Sequence, residues 1–200
     1  MRTMTRTRLS PDARREQLLA AGAQLFASRP YDEVRIEEIA DAAGVSRGLL
    51  YRYFATKREL FRAIVQQATE QVFALTAPDP ELPTDASARE AVERFIAQFE
   101  AHADIVRAVD AAMSSADSDA RAILAQALRR QEDRILARLG VRRSPRLRVA
   151  VRGWLMMTRA LTIDWLDRRE VSRAALADIC TDALLDLVAR HATPAKRAYR

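Results

Sequence analysis

Apolar residues recur three and four positions apart through most of the chain, the spacing that gathers them on one face of an α-helix. Leu18, Leu19, Ala21, Leu25 and Phe26 mark a first helix over about residues 11–28, opened by Ser10-Pro11, a hydroxyl N-cap with proline at the first helical position. The stretch Arg29-Pro30-Tyr31-Asp32 breaks it. Ile36, Ile39, Ala40 and Ala43 then share one face of a short helix that stops at Gly44, and Ser46 caps a further helix carrying Leu49, Leu50, Tyr53 and Phe54. Thr56 and Glu59 have the spacing of a capping box and open a longer helix through Leu60, Phe61, Ile64, Val65, Ala68 and Val72.

Pro78, Pro80 and Pro83 interrupt the pattern between Ala77 and Asp85, because proline cannot sit inside a helix without losing a hydrogen bond and clashing with the preceding turn. Beyond this linker the helical spacing resumes, predicting helices at about 87–102, 104–114, 118–139, 145–168 and 172–190. Ser87 with Glu90 is read as a second capping box, and Ser144-Pro145 as a second Ser-Pro start. The expected architecture is all-α with about nine helices. An N-terminal three-helix head over residues 12–72 holds a helix-turn-helix at 35–54, and a helical-bundle body covers residues 73–200.

Composition agrees with this. Glycine is scarce, at 5 of 200 residues, and the hydrophobic fraction of 49% is ample for a packed core. The net charge of +6 suggests an anionic partner, and its placement says more than its size. Residues 1–58 hold 11 basic and 7 acidic side chains, whereas 59–200 hold 22 and 20. Between residues 45 and 58 stand Arg47, Arg52, Lys57 and Arg58 with no acidic residue among them. Cys180 is the single cysteine, which excludes an intrachain disulfide and suits a reducing compartment; its apolar surroundings make it a buried thiol. Residues Met1 to Pro11 contain Arg2, Arg6 and Arg8 but no apolar core, so they do not read as a secretory signal, and no apolar stretch is long enough to span a membrane. A cytoplasmic protein is expected.

The chemistry concentrates between Ile36 and Phe54. A helix whose job is to lie in a DNA major groove must cross its predecessor steeply, which calls for a small residue at the crossing, a glycine in the turn and apolar residues to lock the angle. Ala40 is the small residue, Gly44 the turn, and Ile39, Ala43, Val45, Leu50 and Tyr53 fall at locking positions.

The run IEEIADAAGVSRGLLYRYFATKRELF, residues 36–61, resembles the DNA-binding head of TetR-family transcriptional regulators. QLLAAGAQLFA, residues 17–27, is similar to that family's first helix. The resemblance implies that Ser46, Arg47 and Gly48 open the recognition helix against base edges and nearby phosphates. It implies that the hydroxyls of Tyr51 and Tyr53 reach phosphate, and that Lys57 does so at the start of the fourth helix. Arg52 is a further candidate, and the arm residues Arg2, Arg6 and Arg8 could follow the DNA backbone. Two positions depart from the family pattern: Pro30 stands where glycine is common, and Arg35 where serine or threonine is common. Arg35 removes an N-cap hydroxyl but could itself reach a phosphate.

The resemblance also implies a homodimer through the last two helices, two heads on a palindromic double-stranded operator, and an unknown small-molecule effector held in the body. Pocket candidates are Phe95, Phe99, His102, Met113, Trp154, Met157 and Trp165, with Asp110, Arg159 or Asp164 as polar anchors. His102 and His191 belong to no ligand-spaced cluster, so no metal site, cofactor or catalytic residue is expected. With no phosphate loop and no nucleophile elbow, an enzyme is not expected either. The reading is a ligand-responsive transcriptional repressor. The alternative is a ligand-independent DNA-binding regulator on the same fold: an activator, a nucleoid factor or a cell-division factor.

Overall fold

The computed structural model describes residues 9–114, 118–139 and 144–191; the side chains at 108, 111–114, 118 and 120 fall outside that description. The arm residues Arg2, Arg6 and Arg8 and the basic tail with Lys196, Arg197 and Arg200 also lie outside the described residues.

Among the described residues the chain forms nine α-helices and no strand. They are α1 (Pro11–Ser28), α2 (Ile36–Ala42), α3 (Arg47–Tyr53), α4 (Lys57–Leu75), α5 (Thr84–Ala101), α6 (Ala103–Ser114), α7 (Ser118–Arg138), α8 (Pro145–Arg168) and α9 (Arg173–His191). A single 3-10 turn, Tyr31–Glu33, joins α1 to α2. The hydroxyl caps anticipated from sequence are in place. Ser10 accepts from Ala13, Ser46 from Leu49 at 3.2 Å, Thr56 from Glu59 at 3.0 Å and Ser144 from Leu147 at 3.1 Å.

The start of α5 differs from the expectation. The helix begins at Thr84 behind Pro83, and Ser87 already donates its backbone N–H to the Pro83 carbonyl. Ser87 is therefore an interior residue of the first turn rather than a cap, and its side chain is buried. Proline can precede a helix at extended φ and ψ, so three helical residues are gained ahead of the hydroxyl that looked like the boundary. The proline segment is not a loose tether either. Arg138 of α7 donates to the carbonyl of Leu82 at 2.7 Å, and Arg94 of α5 donates to that of Ala77 at 2.9 Å.

Arg35 precedes α2 without a side chain able to accept a hydrogen bond, and Glu38 supplies the missing interaction from the opposite direction. Its carboxylate accepts the Arg35 backbone N–H at 2.8 Å and a two-pronged contact from Arg29 at 3.2 Å. The substitution of Arg35 for a hydroxyl is thereby tolerated. Pro30 needs no special conformation, lying at φ −52° as the 3-10 turn begins.

Two main apolar clusters form. The first joins α1, α2, α3 and α4 through Leu18, Phe26, Ile39, Leu50, Phe54, Leu60, Phe61 and Val65, and it also takes in Val109 of α6 and Leu124 of α7. Gly22 makes the α1–α4 crossing close, since a Cβ there would stand 3.0 Å from the Ile64 side chain. The second cluster unites α5, α6, α8 and α9 around Ile96, Phe99, Trp154, Trp165, Ala177 and Cys180. Cys180 is fully buried, and burial pushes its thiol pKa up.

Candidate nucleic-acid interface and body cavity

The helix-turn-helix is α2, a turn and α3. Gly44 occupies the turn at φ +62°, a left-handed conformation that a side chain would strain, and the Val45 N–H closes the turn on the Ala40 carbonyl at 2.9 Å. Ala40 is fully buried where the helices cross. On α3, Leu50 is buried and Phe54 just beyond it is buried too, while Arg47, Gly48, Tyr51 and Arg52 form the opposite, exposed face. One turn of helix thus divides into an anchoring side and a presenting side.

The presenting side is chemically open. Among the described residues, Arg47 and Arg52 have no ion pair and no hydrogen-bond partner, and the ring of Tyr51 is 45% exposed. Among the described residues, beyond its chain neighbours and its own helix's backbone, no atom lies within 4 Å of the place a Gly48 Cβ would occupy. Tyr53 is different: half-buried, it packs against the head cluster. Arg35 is exposed and lies 3.8 Å from Glu37. Lys57, at the first turn of α4, turns inward. Its ammonium donates to the carbonyls of Tyr31 at 2.8 Å and Val34 at 2.9 Å.

The body encloses a cavity of about 370 Å³ between α4, α5, α6, α7 and α8, with an edge on α9, a size in the range that takes drug-sized ligands. Of the residues singled out from sequence, Phe95, Phe99, His102 and Trp154 line it, as does Arg159. Phe95 and Phe99 pack with ring centroids 4.1 Å apart. Trp154 donates its indole N–H to the Cys180 carbonyl at 2.7 Å, which fixes the ring against the cavity.

Met157 and Trp165 are not among its walls. Met157 is on the surface, and Trp165 is a core residue whose indole donates to Val171 at 2.8 Å. Asp164 pairs with Arg168 on the exposed side of α8, and Asp110 is tied to Arg159 at 2.9 Å. The side chain of Met113 lies outside the described residues. An aromatic or sulfur stripe looks the same in sequence whether it packs in a core or lines a cavity, which is why these positions could not be separated.

Sequence reasoning missed Arg134, Arg138, Gln131 and Ser87, all of which line the cavity. A signal existed for Gln131 and Arg138: Leu124, Leu128, Gln131, Ile135 and Arg138 follow one another at alternating spacings of four and three, so polar residues continue an apolar stripe. Arg134 donates to the carbonyls of Phe73 and Thr76 at the end of α4, and its guanidinium lies 3.9 Å from the Phe73 ring. Burial, followed by the nearby Arg130 charge, pushes its pKa down to about 10.

An exposed basic helix on a steep two-helix turn, set on an all-helical body, defines a helix-turn-helix protein of the DNA-binding class. Residues 18–64 match the family described as bacterial regulatory proteins, tetR family. The likeness to this family is carried by the N-terminal head.

The chain is 43% identical over 65 residues to the HTH-type transcriptional activator FasR of Mycolicibacterium smegmatis, covering 32% of this chain and 30% of that protein. It is 34% identical over 65 residues to the HTH-type transcriptional repressor Rv1474c of Mycobacterium tuberculosis, covering 32% of this chain and 35% of that protein. These matches therefore span about a third of the length of the curated relatives. A tetR-family transcriptional regulator from Streptomyces coelicolor superposes with TM-score 0.77 at 29% identity, covering 91% of this chain and 83% of that one. The fold is shared equally with a TetR-like regulator from Rhodococcus sp. RHA1, at TM-score 0.76, 22% identity and coverage of 91% and 99%. Among the described residues no helix is long and apolar enough to cross a membrane.

Proposed function

We propose that the protein is a sequence-specific, ligand-responsive transcriptional repressor that acts in the cytoplasm as a homodimer on a palindromic operator. Residues 12–72 serve as its DNA-binding unit and residues 73–200 as the ligand-binding and dimerisation unit. The observation that carries the reading is the presenting face of α3, where Arg47, Gly48, Tyr51 and Arg52 stand exposed on a helix whose other face is locked into the head. In this reading Ser46, Arg47 and Gly48 meet base edges and adjoining phosphates, with Arg47 having the bidentate reach that guanine offers in the major groove. Tyr51, Tyr53, Arg52, Lys57 and Arg35 supply backbone contacts that set register.

Dimerisation through α8 and α9 is supported by a row of exposed residues at alternating spacings of four and three: Val149, Gly153, Met156 and Ala160. Val149 is 66% exposed, and Ile179 on α9 is 49% exposed. Glycine in mid-helix costs about 1 kcal/mol relative to alanine, and among the described residues nothing stands within 4 Å of where a Gly153 Cβ would be. A second copy packed closely along α8 would.

Ligand responsiveness is supported by Val109 and Leu124, which belong both to the cavity wall and to the apolar cluster of the head. Filling the cavity acts on the same side chains that seat the head, so two arrangements of the heads acquire different stabilities.

The test is a titration of the full chain against palindromic DNA from beside its own gene and against a scrambled duplex, each at two salt concentrations. The expected result is sequence-selective binding that weakens steeply with salt. Equal affinity for both duplexes would rule the reading out.

A further inference from the structure

The end of the body cavity nearest the proline segment carries positive charge with no carboxylate among the described wall residues. Arg134 and Arg138 stand one turn apart on α7, and both line the cavity. Arg134 spends its donors on the Phe73 and Thr76 carbonyls, the Thr76 hydroxyl and the Gln131 amide oxygen. Arg138 spends two of its nitrogens on the Thr84 hydroxyl and on the carbonyls of Leu82 and Asp79. Every one of these acceptors is neutral. Arg159, the third arginine of the wall, is instead neutralised by Asp110, and among the described residues no aspartate or glutamate lines the cavity.

Donors are also left over at this end. Ser87 is 1% exposed, and its hydroxyl has no partner. The Nε of Arg138 is buried and has none either. Ser87 lies in the first turn of α5, an 18-residue helix whose opening amides meet no side-chain cap. Glu90, one turn further along, gives one carboxylate oxygen to Arg94, keeps the other buried without a partner, and is not part of the wall. Two guanidinium charges, a buried hydroxyl and the positive end of a helix therefore converge on one end of a space that is otherwise bounded by Val92, Phe95, Phe99 and Trp154.

We propose that this end is an anion subsite and that the effector is an apolar carboxylic acid, its carboxylate set between Ser87, Arg138 and the start of α5 and its aliphatic body along Phe95, Phe99 and Trp154. The assignment rests on the ligand-responsive reading above and names the class of molecule that would fill the site. Burying a carboxylate is costly unless it gains charge-assisted hydrogen bonds, and here two half-buried guanidinium groups, with the buried Ser87 hydroxyl and Arg138 Nε, are in place before it arrives. A neutral chain would leave them unmatched. A cationic one would be repelled.

The experiment uses the full chain with straight-chain acids from hexanoate to tetradecanoate, and with the alcohol and amine of each length. Binding is read by calorimetry and by fluorescence of the cavity tryptophan, Trp154. The acid of the best-fitting length should bind about tenfold or more tightly than its alcohol, with the amine weakest. Ser87→Ala removes only an unpartnered hydroxyl and should narrow the acid-to-alcohol ratio several-fold; Arg138→Gln should bring it close to one. Arg138 also holds the proline segment, so should that variant unfold in a circular-dichroism melt, the Ser87→Ala ratio decides. An alcohol that matches its acid in the unmodified protein, or a ratio unmoved by Ser87→Ala, overturns the proposal.

Operator binding is followed on the same samples. Operator binding without binding of any acid overturns the anion subsite alone. An acid that binds with the expected ratio yet leaves operator affinity unchanged supports the subsite and overturns the ligand-responsive reading.

Discussion

Lys57 grips Tyr31 from two directions: its ammonium donates a hydrogen bond to the Tyr31 carbonyl at 2.8 Å and stands 4.3 Å from the centroid of the same residue's ring. With the bond to Val34 added, one side chain at the start of α4 closes the whole turn between α1 and α2. The residue assigned to phosphate by family resemblance is therefore also a structural pin of the head. Replacing Lys57 with methionine should cost about 2 kcal/mol of stability, the scale of hydrogen bonds to a charged group, and should weaken operator and scrambled DNA alike. A urea-melt midpoint equal to that of the unmodified protein would show that the pin is dispensable.

Gly48 and Arg47 offer a test in which folding and function move in different directions. With open space where its Cβ would go, Gly48→Ala should raise stability by about 0.5–1 kcal/mol while lowering DNA affinity, because the added methyl stands between α3 and the groove. Arg47→Ala should leave stability within about 0.5 kcal/mol yet relax preference at one or two base pairs, each worth roughly 1–3 kcal/mol. Thermal melts beside a base-substitution series of the operator give both readings. Uniform loss at every sequence for Arg47→Ala would remove it from base reading.

Glu38 makes the head sensitive to acid. The Arg35 N–H, then the Arg29 guanidinium, holds its carboxyl below the usual glutamate range. A depressed folded-state pKa contributes stability that is present above the ordinary glutamate value and is lost as pH falls through the lowered one. The head should therefore loosen only below the ordinary range of about 4.3, and Glu38→Gln should flatten that part of the profile. Melts recorded at descending pH check it; identical acid profiles for the two proteins would show that Glu38 does not contribute.

The exposed row on α8 predicts an assembly. Val149→Glu together with Ile179→Glu should give a well-folded monomer and a large loss of operator affinity, since each head alone reads half of a palindrome. Sedimentation and operator titration of the same sample check both halves. A dimer that survives the pair of charges would move the interface elsewhere.

Much of this was legible in the residues themselves. The helix-turn-helix could be read because Ala40, Gly44 and Leu50 each answer a separate local demand at fixed spacing: a close crossing, a left-handed turn and an apolar lock. Helix starts were legible where a hydroxyl does the capping, as at Ser46 and Thr56. They were not at α5, because Ser87 has the chemistry of a cap but tertiary packing buries it inside the helix. The cavity was the least legible part. Phe99 and Trp165 both belong to the second apolar cluster and both obey helical spacing, and only the relative placement of five helices leaves empty space beside one and not the other. The role of Arg134 was hidden for the same reason, since its partners Phe73 and Thr76 stand some sixty positions away.

That clamp has a mechanical consequence. α4 starts in the head at Lys57 and runs to Leu75, and Arg134 grips the carbonyls at its far end. Its 19 residues make a rod of about 28 Å at 1.5 Å per residue. Pivoting such a rod by about 6° about the gripped end sweeps the opposite end through about 3 Å. That arc is close to the axial rise from one nucleotide to the next along a DNA strand, about 3.4 Å. Were α4 to pivot at the end that Arg134 grips, leverage alone would carry Lys57 through about the spacing of one base step.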